Sequence, residues 1–101
     1  MADAEFTWHV PVHHPAFAGH FPGQPIVPGV VLLDLALLFA QQHLDQFASG
    51  WQVRQAKFLS PCGPGDELVF AFSGGSGGVL TFTVRSAGRT MASGSLLPPH
   101  R

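Results

Sequence analysis

The stretch PGVVLLDLALLFA, residues 28–40, sets one carboxylate, Asp34, in a nearly unbroken run of hydrocarbon. Burying an unpaired ionised carboxylate costs several kcal/mol or more, so such a group finds a partner, takes up a proton or faces a cavity. Apolar surroundings favour the neutral acid, and a neutral carboxyl can hand its proton to a departing group. Just upstream, AFAGHFPGQPIVPG (residues 16–29) carries His20 among three prolines and three glycines. Histidine exchanges protons near neutral pH, which suits it to general acid–base work. Pro28 and Gly29 stand where a helix can begin, and free N–H groups at a helix start attract a developing negative charge. Glycine there lets a substrate carbonyl approach the backbone.

Other combinations of side chains point to less. His9, His13, His14 and His20 have no companion cysteine pair and no helical His-x-x-x-His, so no zinc site is expected. SGGSGG lacks the lysine and following helix of a phosphate loop and reads as a hairpin turn. His43 and Cys62 read as structural, and no cofactor is implied.

These groups need a scaffold, and the rest of the chain supplies one. EFTWHVPV reads as a first strand, ended by Pro11. The Pro/Gly-rich segment is a constrained loop. Nothing breaks a helix from Val30 to about Ala48, and Gly50 is placed to cap it in the left-handed conformation. The first half of that helix is apolar all round, which predicts a helix enclosed by other structure. WQVRQAKF, DELVFAF, VLTFTVRS and RTMASGSLL read as four more strands, separated by SPCGPGD, SGGSGG and AG. In VLTFTV, Leu80, Phe82 and Val84 fall on one face, opposite Thr81 and Thr83. The pattern predicts an α+β fold, an antiparallel sheet of about five strands curled around one long central helix. LPPHR is expected to fray.

Length and composition bound the function. At 101 residues with 46% hydrophobic content, one domain spanning residues 1–101 is expected. Charged residues make up 11%, and Arg54, Lys57, Arg85, Arg89 and Arg101 form no basic stripe, which argues against nucleic acid as a partner. The apolar run is shorter than the roughly 20 residues of a membrane span and is interrupted by Asp34. MADAEFTWHV does not read as a signal peptide, and a lone cysteine suits a reducing compartment, so a cytoplasmic location is expected. A chain this small gains from burying further apolar surface against a second copy.

GHFPGQPIVPGVVLLD, residues 19–34, resembles the signature of the β-hydroxyacyl-acyl carrier protein dehydratases, which have the hot-dog fold. The histidine in GHFPG, the following PIVPG and the acid fourteen residues after that histidine carry the likeness. FLSPCGPGDEL, residues 58–68, is similar to a second stretch of these proteins, where a Pro-Gly-Asp turn joins two strands. The resemblance implies that His20 and Asp34 are catalytic and that the amides of Gly29 and Val30 receive the thioester oxygen. It implies an acyl tunnel lined by Phe21, Leu33 and Leu38. It also implies acyl carrier protein as the partner that brings the 3-hydroxyacyl substrate, and a homodimer or higher oligomer in which the histidine of one subunit faces the acid of another. Family members often carry glutamine four residues after the acid, where this chain has Leu38. Two alternatives share the fold: an acyl thioesterase, and a non-catalytic acyl-binding subunit of a dehydratase heterodimer.

Overall fold

The computed structural model describes residues 2–13, 26–74 and 76–99; His20 and Phe21 lie outside them. Its elements are β1 (Ala4–His9), α1 (Gly29–Leu44), β2 (Gln52–Phe58), β3 (Glu67–Gly74), β4 (Leu80–Ser86) and β5 (Arg89–Leu97). The five strands form one sheet in the order β1-β3-β4-β5-β2, with every neighbouring pair antiparallel. Among the described residues, the α-helix therefore comes between the two edge strands in sequence. This is the predicted architecture, and each of the five predicted strands is present to within a few residues.

Side chains alternate across a strand, so one face of the sheet collects the apolar residues. Phe6, Phe70, Val84 and Ala92 are paired in one row, and Phe72, Phe82, Gly94 and Ala56 in the next. Phe70, Phe72, Val84 and Leu96 are fully buried. Burial of each such side chain contributes about 1.5–3 kcal/mol. Onto this face α1 lays Leu32, Ala36 and Ala40, three residues spaced by four and almost fully buried. The two alanines let the helix backbone approach the sheet closely. Phe39 anchors it, stacked on Phe6 at 4.8 Å and edge-on to Phe70 at 5.2 Å.

Two expectations fail here. The helix is 16 residues long and stops at Leu44, not near Ala48. Asp45, with φ 53° and ψ 43°, takes the left-handed cap assigned to Gly50. The Gln46 amide then donates to the Gln41 carbonyl at 3.0 Å, and the Trp51 indole donates to the Gln46 carbonyl at 3.2 Å, closing the turn. Nor is the first half of α1 enclosed on all sides. Val30, Asp34 and Leu38 form a stripe that the sheet leaves exposed. Beside it in kind, β2 is a free edge whose residues are exposed on both faces except Ala56. Among the described residues no helix is long and apolar enough to cross a membrane.

Candidate active site

Pro28, at φ −59° and ψ 144°, turns the chain into α1 without any side-chain cap. The Val31 amide donates to the Pro28 carbonyl at 3.0 Å. The amides of Gly29 and Val30 are left without an acceptor among the described residues. Open amides at the positive end of a helix dipole are electrostatically suited to a carbonyl oxygen that gains negative charge.

Val30 is the next residue along the helix after Gly29, and Gly29 lines a cavity of about 400 Å³. On one side it is lined by Ile26, Val27, Pro28, Gly29 and Leu32, and on the other by Phe58, Leu59, Ser60, Pro61 and Cys62. The two walls are tied together where the Val27 amide donates to the Cys62 carbonyl at 2.7 Å. The second wall is also held from behind. The Leu59 and Ser60 amides both donate to the Met91 carbonyl at 2.8 and 3.2 Å, and the Arg89 guanidinium donates to the Ser60 hydroxyl at 3.2 Å. In the Pro-Gly-Asp turn the Gly63 amide donates to the Asp66 carboxylate at 2.8 Å, and the Gly65 amide to the Val10 carbonyl at 2.9 Å. This turn fixes Cys62 at the buried floor of the cavity. Burial, and then the nearby Asp66 carboxylate, push the Cys62 thiol up from its ordinary value, so it stays protonated.

Of the sequence-predicted residues, Gly29 lines the cavity, and Val30 follows it with its side chain exposed. The space beside Gly29 belongs to the protein itself. A methyl group there would come within 2.8–3.1 Å of the tip of the Phe58 ring. Asp34 is exposed and does not line the cavity. Five residues beyond Gly29, it lies about 7.5 Å along the axis and about 140° around it. The hydrocarbon enclosure expected of Asp34 is thus absent within a single chain, because the apolar neighbours in its sequence turn toward the sheet and it does not. Leu33 is partly buried against the core, while Leu38 is exposed on the Asp34 stripe. The positions assigned to His20 and Phe21 lie outside the described residues.

Sequence reasoning missed Phe58, Leu59, Pro61 and Cys62 as walls of the cavity. Their signal was present in FLSPCGPGDEL, whose turn residues mark a sharply folded segment beside a strand end.

Comparison with known proteins bears on this site. The family model described as ApeI-like, ApeI dehydratase, matches residues 1–95. The chain is 36% identical over 70 residues to the 3-hydroxyacyl-[acyl-carrier-protein] dehydratase FabZ of Chlamydia trachomatis serovar L2; the match takes in 60% of this chain and 46% of that protein. It spans about half the length of the curated relatives it matches. Among solved structures it resembles the dehydratase heterocomplex ApeI:P from Xenorhabdus doucetiae, with a TM-score of 0.78 at 27% identity over 95% of this chain and 86% of that one. A gentisyl-coenzyme A thioesterase superposes with a TM-score of 0.66 at 16% identity, over 92% of this chain and 84% of that one, and shares the fold alone.

Proposed function

Because the chain belongs to the ApeI-like dehydratase family, we propose that it removes water from 3-hydroxyacyl thioesters carried on acyl carrier protein, giving the trans-2-enoyl product in fatty acid or related lipid or polyene biosynthesis. The observation that carries this reading is the open helix start, where the Gly29 and Val30 amides lack acceptors among the described residues and Gly29 lines an apolar cavity of about 400 Å³. That arrangement supports binding of a thioester oxygen with its acyl chain beside it.

In this mechanism neutral His20 takes a proton from C2, and the electron pair moves toward the carbonyl, whose oxygen is stabilised by the two amides. The pair then returns to form the C2–C3 double bond as the C3 hydroxyl leaves, and Asp34 supplies the proton that turns it into water. The whole chain acts as one hot-dog domain in a reducing, cytoplasmic setting, and no cofactor is needed.

A second chain completes the site. Asp34 faces away from its own cavity on a stripe with Val30 and Leu38, and β2 presents unpaired backbone at the sheet edge. A second copy placed against this surface would enclose Asp34 and bring it to the neighbour's His20, making two equivalent sites. The similarity to a solved ApeI:P heterocomplex favours, as a second reading, a different hot-dog chain in that place.

The test is incubation of purified protein with a panel of 3-hydroxyacyl carrier proteins, followed by mass spectrometry. Loss of water supports the reading. Release of free acid would support a thioesterase, and an unchanged substrate a binding subunit.

A further inference from the structure

Phe58 occupies a particular place. It ends β2, and its backbone is tied to β5, by pairing with Ala92 and by the next residue's amide on the Met91 carbonyl. Its ring lines the cavity and points tip-first at Gly29, at the end where the open amides stand. A methyl group between that ring and the helix start would sit 2.8–3.1 Å from the ring tip, inside normal carbon separations, so the half-exposed ring would have to shift to admit it.

We infer that Phe58 is a specificity-determining residue that selects acyl groups unbranched at C2. The inference rests on the dehydratase reading, which brings the thioester oxygen to the Gly29 and Val30 amides. C2 is bonded to the carbonyl carbon, so a substituent on it lies one bond from the group that must reach those amides. A thioester entering from the cavity passes the Phe58 ring, and a methyl group at C2 meets the same ring tip that a Cβ at Gly29 would displace. The other apolar walls do not discriminate at this point. Val27, Leu32 and Cys62 form the buried floor, and the three atoms nearest a Cβ placed on Gly29 all belong to the Phe58 ring. Rejection by a steric wall works against the wrong ligand without needing a further contact to the right one.

The ring is half exposed, so trimming it opens space and removes little core packing. The experiment compares wild type, Phe58→Leu and Phe58→Ala on matched 3-hydroxyacyl and 2-methyl-3-hydroxyacyl carrier proteins. A single methyl group in a close-fitting site discriminates by about 10–200-fold. Wild type should prefer the unbranched substrate by at least about tenfold in kcat/KM, Phe58→Ala should reduce that preference by about tenfold, and Phe58→Leu should fall between. In parallel, calorimetry measures binding of butanoyl- and 2-methylbutanoyl-pantetheine to each protein. If wild type turns over no substrate, the dehydratase reading fails, and the Kd ratios alone decide whether Phe58 selects against branching. A preference for the unbranched compound that is the same in all three proteins, by turnover or by binding, overturns the inference.

Discussion

Asp34 stands one helical turn beyond Val30 on the same exposed stripe of α1, while the sheet covers Leu32 and Ala36 on the opposite side. The acid and the side of the helix that meets the cavity therefore look in different directions. An exposed carboxylate contributes little to the stability of its own chain.

Asp34→Asn should accordingly leave the stability of the isolated chain within about 0.5 kcal/mol of wild type, as for most surface changes. Dehydration should fall by about 10²–10⁴-fold, the share a positioned proton donor supplies. Denaturant titration and a steady-state assay check the two halves. A stability loss of several kcal/mol, or turnover close to wild type, would contradict the assignment.

The glycine at the helix start answers to Phe58. Gly29→Ala should cost at most about 1 kcal/mol, the low end for overpacking, because the ring it displaces is half exposed and can shift. In a Phe58→Leu background the same change should cost markedly less, giving a non-additive double-mutant cycle in denaturant unfolding. Additive costs would mean that ring and glycine do not meet.

Gly94 tests the sheet in the same way. A Cβ there would strike the Gln55 carbonyl of β2 and come within 2.8 Å of the Phe82 ring. Both are built into the sheet, so Gly94→Ala should destabilise by about 1–3 kcal/mol or more. It should also loosen the β2 edge, which hydrogen exchange of the Gln52–Phe58 amides would register.

Cys62 gives the chain an alkaline liability. Its thiol is held neutral by burial and then by Asp66, so the folded form keeps a proton that the unfolded chain releases above about pH 8.5. Above that point the unfolded state binds fewer protons, and stability falls as pH rises, by at most about 1.4 kcal/mol per unit for this one group. Cys62→Ala should flatten the decline between about pH 8 and 10 in thermal melts, although its stability at neutral pH is lower. An unchanged slope would detach the effect from Cys62.

The strands were legible because alternation is local: Leu80, Phe82 and Val84 are buried in the order that the sequence predicts. The helix end was not. Asp45 adopts a conformation that aspartate tolerates but does not announce, and the Trp51 indole that closes the turn comes from outside the helix. The surroundings of Asp34 were misread for a deeper reason. A run such as PGVVLLDLALLFA has the same appearance whether its second face is covered by its own sheet or by another chain. The cavity walls Phe58–Cys62 became visible only with the pairing of β2 and β5, a contact between residues distant in sequence.

Mixed dimers test whether the proposed dehydratase site is shared between chains. His20→Ala and Asp34→Asn chains should each be inactive alone. Co-expressed with random pairing, half of the dimers are mixed, and each mixed dimer joins the intact His20 of one chain to the intact Asp34 of the other at one of its two sites. Activity should then recover to about a quarter of wild type. No recovery in verified mixed dimers would contradict the shared site, because a site built within one chain leaves every copy defective.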